Sequence, residues 1–422
     1  MYKYLYFSFL IFILSCQTQY EAKRPSVTEE WAQIWGSEEN DIGDAVAVDV
    51  DGNIYVTGVT YGGIANNINS ALSDIFLSKF DTNGKLLWTQ QWGSKESEVS
   101  YAMSISNTGF IYIAGRTKGQ MDIDSNYGGY DLFLLKCDTA GNKIWLRQWG
   151  HELNENAISL CIDQNENILV GGYTTLKVAG KDKSDLLLLK FDSSGTVLWD
   201  KIWGTKDSEW INSIAIGKQG DIYITGWSMG NIEPKKHSGV DDIFLMKLDS
   251  TANPLWVRQW GTDNNDDGNG LALDAQDNAY VTGRAGDALE GNRHYGWHDS
   301  FLSKYNSKGE KQWTRQWGAA DDDHALDVQI DSLGQIYVLG NTSGKIDGNK
   351  MNGWHDIYLT KFDAEGQRQW TKQWGTAGFT IGGKITIDKH QFIYITGDSS
   401  YDLQGNPNKG DSRDALLLKW HL

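Results

Sequence analysis

Trp88-Thr89-Gln90-Gln91-Trp92-Gly93 is the stretch whose reading decides the fold. It recurs as Trp31…Trp35-Gly36, Trp145…Trp149-Gly150, Trp199…Trp203-Gly204, Trp256…Trp260-Gly261, Trp313…Trp317-Gly318 and Trp370…Trp374-Gly375. The second Trp falls at 35, 92, 149, 203, 260, 317 and 374, a period of 57 residues with one step of 54. Self-similarity at a fixed period of this size marks a repeat architecture, in which each unit buries its apolar faces against its neighbours.

Reading outward from the Trp pair gives one unit. Ala45-Val-Ala-Val-Asp49 alternates and is followed by a turn at Val50-Asp51-Gly52. Asn53-Ile-Tyr-Val-Thr-Gly58 is β-branched and aromatic, a good strand. A longer polar loop runs to Ser73, then Asp74-Ile-Phe-Leu-Ser-Lys-Phe80 is a third run, closed by Asp81-Thr-Asn-Gly84. Leu86 to Trp92 is the fourth. These strands are designated A, B, C and D. The alternation has period two and lacks a 3.6-residue stretch, which excludes a helical solenoid. Four strands with short turns, seven times over, predict an all-β seven-bladed propeller with four antiparallel strands per blade. The chain shows a D motif at Trp31 before any A, B or C. It shows a C motif at Asp414-Ala-Leu-Leu-Leu-Lys-Trp420 with no D behind it. The N-terminal strand is therefore expected to complete the last blade and close the ring, removing free edges.

The net charge of −17 argues against nucleic acid as a partner, because phosphate binding needs clustered Lys and Arg. Residues 1–15 carry one Lys and then an apolar run from Tyr4 to Leu14. That run is too short to span a bilayer but has the length of a signal-peptide core. Ile13-Leu14-Ser15-Cys16 resembles a bacterial lipobox, so Cys16 is expected to be the lipidated mature N-terminus. Residues 16–28 read as a tether and 29–422 as the propeller. The expected setting is a monomer on the cell envelope, anchored by lipid to the outer membrane. Cys137 and Cys161 replace core residues of other repeats and are expected to be buried free thiols.

Recurring columns carry packing. Gly58, Gly115, Gly172, Gly226, Gly283, Gly340 and Gly397 sit inside B strands, where glycine marks a bulge or a close backbone approach. Asp74, Asp131, Asp185, Asp242, Asp299, Asp356 and Asp414 open every C strand and are expected to hold the preceding loop by hydrogen bonds. Trp313, Arg315 and Trp317 share one strand face, as do Trp256, Arg258 and Trp260, predicting cation-covered indoles between blades. With these motifs assembled, the unit resembles the bacterial seven-bladed β-propeller repeat found in surface lipoproteins and large secreted proteins. That resemblance implies the fold and carries over no catalytic residue.

Short A–B and C–D turns leave the long B–C loops and the D–A loops together on the opposite face, where function is expected. The D–A loops are acidic, and Asp263, Asp266, Asp267, Asp321, Asp322 and Asp323 are the candidate binding rim for a protein or glycan partner. Gly296-Trp-His-Asp299 and Gly353-Trp-His-Asp356 repeat one period apart, so His294, His298, His324 and His355 are candidate ligands for Zn²⁺ or Ni²⁺. No His-Glu-x-x-His or phosphate loop occurs, and no cofactor is expected. The first expectation is a non-enzymatic binding scaffold. The alternative is an enzyme with an axial site, resembling a quinone-dependent dehydrogenase or a glycan-cleaving enzyme. It would lie near Asp327, Gln329 and Lys384, which depart from the small residues of the other A strands.

Overall fold

The computed structural model describes residues 28–422 except 66, 70, 71, 122–126, 179, 235–238, 404, 410, 411 and 422. Seven four-stranded antiparallel sheets follow one another along the chain. In blade 1 the strands are Asp41–Val48 (A), Ile54–Thr60 (B), Asp74–Phe80 (C) and Leu86–Trp92 (D). The A strands of blades 2 to 7 open at Glu98, Glu155, Glu209, Asp266, Asp323 and Thr380. In blade 7 the fourth strand is Thr28–Trp35, paired antiparallel with Asp414–His421, so Trp35 lies opposite Ala415 and Ala32 opposite Leu418. The ring closes as the sequence predicts.

The core lies between blades. Tyr55, Ile75 and Leu77 of blade 1 pack with Ile111, Ile113, Phe133 and Leu135 of blade 2, and the same sandwich recurs around the ring. At the closing interface Trp35, Tyr394 and Leu417 meet Val46, Val56 and Phe76. The second Trp of four pairs reaches an aromatic ring of the next blade: Trp35 meets Phe80 at 4.7 Å, Trp260 meets Tyr305 at 4.9 Å, Trp317 meets Phe362 at 5.0 Å and Trp374 meets Trp420 at 4.9 Å. Arg315 covers Trp313 at 5.0 Å and Arg258 covers Trp256 at 5.5 Å. Their Nε atoms donate to Gly366 O and Gly309 O in the next blade, at 2.8 and 2.7 Å. The cation–indole columns are therefore blade-to-blade packing.

The glycine of Trp-Gly has a steric cause. A Cβ on Gly93 would collide with the Asp74 carboxylate, and one on Gly150 with that of Asp131. That Asp is the hub expected for each blade. Asp74 Oδ2 accepts from Gln91 Nε2 at 3.0 Å, and Gln91 Oε1 accepts from Ile64 N in the B–C loop at 3.1 Å. Gln316 and Gln373 repeat this bridge, joining Asp299 to Leu289 N and Asp356 to Ile346 N. In the B-strand column a Cβ on Gly58 would strike Ile42 O, beside a register shift between Gly43 and Ala45, the predicted bulge. The A–B turn is an Asx turn, with Asp49 Oδ1 accepting from Asp51 N and Asn53 N at 2.9 Å.

One loop departs from the pattern. In blade 3 the B and C strands extend to Ile168–Val178 and Lys181–Phe191, so the B–C connection is a projecting β-ribbon. Leu176 and Val178 stand exposed on it. Cys137 and Cys161 are free thiols; Cys137 is fully buried and Cys161 partly so. Cys16 lies outside the described residues. Among the described residues no helix is long and apolar enough to cross a membrane.

Candidate functional site at the axial mouth

The A strands line the axis, and the B–C and D–A loops surround its mouth on one face. A cavity of about 560 Å³ opens there, lined in part by Asp44, Tyr101, Trp210, Trp227, Asp267 and Arg284. A second cavity of about 330 Å³ continues along the axis, and Tyr101, Ile158 and Lys384 border both.

The mouth is where the repeat stops repeating. Seven residues after the second Trp of each unit stand Ile42, Val99, Asn156, Trp210, Asp267, His324 and Ile381. Nine residues after it stand Asp44, Tyr101, Ile158, Asn212, Asn269, Leu326 and Gly383. The facing B-strand column holds Val59, Arg116, Tyr173, Trp227, Arg284, Asn341 and Asp398. Scaffold columns keep one residue type around the ring, whereas these three keep none. A site assembled from blades that share one backbone must be built from such columns.

The band has two halves. On blades 2 to 4 it is aromatic: Tyr173 stacks on Trp210 at 4.0 Å and 10°, and Trp210 meets Trp227 at 5.1 Å. Arg116 lies over Tyr130 at 4.5 Å and donates to Asn156 Oδ1 at 3.0 Å. Asn212 donates to Gly268 O at 3.0 Å, and Asn269 to Ala325 O at 3.1 Å, tying neighbouring A strands together. From blade 5 round to blade 1 the band holds ion pairs among apolar and amide side chains. Asp267 holds Arg284, and Asp398 holds Arg413 at 3.2 Å. Burial pushes the Asp398 carboxyl up to about 6, with Arg413 opposing. Burial, with Asp398 nearby, raises Asp44 well above the usual carboxylate range.

The six rim carboxylates divide. Asp263 and Asp321 are exposed and Asp322 half-buried on the rim. Asp267 is buried in the mouth against Arg284. Asp266 and Asp323 are fully buried, contrary to their expected place on the rim, because strand A begins at them rather than at the alternating run that follows. Each caps its D–A loop: Asp266 accepts from Thr262 N, and Asp323 from Ala319 N, both at 2.5 Å. Burial pushes Asp266 up to about 6 and Asp323 to about 7. Asp41, Glu98, Glu155 and Glu209 do the same for Ser37, Ser94, His151 and Thr205.

The four histidines also divide. His298 Nδ1 lies 2.7 Å from Asp322 Oδ1, and His324 Nε2 lies 3.8 Å from the same oxygen. His294 instead faces Asp299 at 3.3 Å, and His355 stacks on Phe379 at 5.2 Å. Burial, with Arg284 beside it, pulls His324 down to about 4. In the axial channel Lys384 Nζ stands 3.9 Å from Asp327 Oδ1, and Gln329 lines the same channel among small residues such as Ala45, Ala102 and Ser159 and aliphatic ones such as Leu160, Ile214 and Leu271. Burial raises Asp327, and Lys384 opposes the shift.

Gly226-Trp227-Ser228-Met229-Gly230 has the spacing of a hydrolase nucleophile elbow. Ser228 is instead the blade 4 counterpart of Thr60 and Thr117. It is buried, donates to Gly230 O at 3.0 Å and accepts from Gly230 N. The sequence reading missed Tyr101, Trp210, Trp227 and Arg284. Aligning the seven units on their Trp-Gly would have found them as the columns that vary.

A family profile described as "Beta-propeller repeat" matches residues 30–65, 255–287 and 369–403. The chain is 28% identical over 223 residues to the regulatory protein FlaEY of Caulobacter vibrioides, a match covering 47% of this chain and 23% of that protein. It is 22% identical over 306 residues to an uncharacterized WD repeat-containing protein, L264, of Acanthamoeba polyphaga mimivirus, covering 63% of this chain and 20% of that one. The chain thus spans less than a quarter of the length of these curated relatives. Among solved structures the polysaccharide lyase Uly1 superposes with a TM-score of 0.51 at 11% identity, covering 90% of each chain, a likeness of fold.

Proposed function

We propose that the protein is a lipid-anchored binding protein of the bacterial cell envelope whose axial mouth takes a glycan. The observation that carries this reading is the aromatic half of the mouth. Tyr101, Trp210 and Trp227 line one cavity, Tyr173 backs Trp210, and Asn212 and Asn269 stand beside them. Flat rings suit the C–H face of a sugar, and convergent amide and charged groups suit its hydroxyls. Trp and Tyr give large contact area with little loss of rotamer freedom.

Charge narrows the class. The net charge of −17 and the exposed Asp263 and Asp321 disfavour polyanions. Neutral or amine-bearing oligosaccharides are therefore the expected ligands. The reading is non-catalytic: the charged axial groups Asp327 and Lys384 face each other at 3.9 Å, and much of the channel around them is aliphatic. The anchor rests on Ser15-Cys16. The test is a calorimetric titration of the full chain in detergent with neutral, amino and sulfated or uronic oligosaccharides. Saturable binding of a neutral or amino member supports the reading. Binding confined to polyanions, or to none, overturns it.

A further inference from the structure

The mouth carries a second feature that the glycan reading does not use. Residue His298 ends the B–C loop of blade 5, and Asp322 and His324 lie where the next D–A loop enters strand A. The two segments are joined by a parallel bridge between His298 and Asp322, and Asp323 N donates to His298 O at 3.0 Å. The backbone therefore fixes the three side chains relative to one another. We propose that His298, Asp322 and His324 form a site for one divalent transition-metal ion of the zinc class on the rim of the mouth.

The geometry is close to what the ion needs. Zinc takes imidazole nitrogen and carboxylate oxygen at about 2.0–2.2 Å, so tetrahedral ligand atoms lie about 3.3 Å apart. Here the ligand atoms all lie within 4.8 Å of one another. The two separations from Asp322 Oδ1, 2.7 and 3.8 Å, bracket that spacing. The imidazoles cross at 77° with centroids 5.7 Å apart, so small side-chain rotations can aim both rings at one point. The Nε2 of His324 is buried and has no hydrogen bond in the structure. A buried imidazole nitrogen without a partner costs stability unless something fills its place. The flanking cation, Arg284, is already held by Asp267.

The ring supplies its own control. At the positions of His298, Asp322 and His324, blade pair 6–7 has His355, Phe379 and Ile381, and blade pair 1–2 has Ser73, Ser97 and Val99. The histidine of a Gly-Trp-His-Asp motif alone does not make the set, since His355 packs on Phe379. Ligand type selects the metal class: two imidazoles and a carboxylate with room for water suit zinc, nickel or cobalt rather than calcium.

The test uses tag-free full chain in detergent, stripped with chelator and titrated with ZnCl₂ by calorimetry. One ion per chain with a Kd below about 10 μM is expected. Cobalt loading should give the visible bands of a four-coordinate site. Asp322→Asn and His298→Ala should each weaken zinc binding at least about tenfold, while His355→Ala should leave it unchanged. Thermal melts of the metal-free variants show whether each is folded, and His298→Ala, at the part-exposed rim, serves if Asp322→Asn is not. No zinc uptake by the wild type overturns the proposal. So does undiminished affinity in a folded variant, or loss of binding in His355→Ala.

Discussion

Gln316 shows how one side chain can hold a blade. Its Nε2 donates to Asp299 Oδ2 at 2.9 Å and to Asp287 O at 3.0 Å, and its Oε1 accepts from Leu289 N at 2.8 Å. Gln316→Ala would leave the buried Asp299 carboxylate short of a donor and free the B–C loop. We expect a loss of about 1–3 kcal/mol, read as a lower urea midpoint. The same change at Ile34 or Ile202, which occupy the equivalent place without amide chemistry, should not follow that mechanism. There Lys409 N and Lys183 supply the donors to Asp414 and Asp185 instead. The Trp-Gly and Asp columns were legible because every unit repeats them. Asp266 and Asp323 were misplaced because a loop-capping carboxylate and a rim carboxylate look alike in a run of acidic residues. The signal was present: Asp41, Glu98, Glu155, Glu209, Asp266 and Asp323 recur at one position, as a scaffold residue does.

At the scale of elements, the strand Thr28–Trp35 matters most, because among the described residues it is the one D strand that precedes the rest of its blade in the chain. Its Trp35 is buried and donates from Nε1 to Ser78 Oγ of blade 1 at 3.1 Å. Deleting residues 1–35 would leave Asp414–His421 as an open edge and uncover the closing interface. Such a chain should melt well below the wild type, and a peptide of residues 28–36 added in trans should recover part of the difference. An unchanged melting temperature would show that closure contributes little. Closure was readable from the order of motifs alone. The blade 3 ribbon was not, because Lys177, Lys181, Asp182 and Lys183 make the stretch read as an ordinary charged loop, and only pairing such as Lys177 with Asp182 carries the strands out to Val178 and back from Lys181.

The whole molecule answers to pH through its buried carboxyls. Asp266, Asp398 and Asp414 are each pushed by burial to about 6. Their unfolded value is about 4, so between about pH 4 and 6 the folded chain binds more protons than the unfolded one. Their contribution is full below the unfolded value and is lost as pH rises through the folded value. In the turns the sign reverses. The Asn253 backbone N–H holds Asp249 low, and the Ser194 hydroxyl holds Asp192 low, so their contribution is lost as pH falls below about 4. The melting temperature should therefore rise from pH 7.5 to about pH 5 and fall again below about pH 4. A monotonic loss on acidification from pH 7.5 would contradict this.

At that same scale the sequence told the architecture almost completely and the site only in outline. The loop-rich face and the unusual axial residues Asp327 and Lys384 were legible from loop lengths and column composition. Tyr101, Trp210 and Trp227 were not, because aromatic residues in a strand usually mean core, and only the ring shows that these three turn toward the axis. The measurement that bears most directly on the mouth is oligosaccharide affinity in Trp210→Ala set against Trp354→Ala. Both remove a partly or fully exposed indole on the loop-rich face, but only Trp210 lines the cavity. Loss of affinity by at least about tenfold in Trp210→Ala, with Trp354→Ala unchanged, is the predicted result. Equal affinity in the two variants would place the ligand elsewhere and contradict the assignment of the axial mouth.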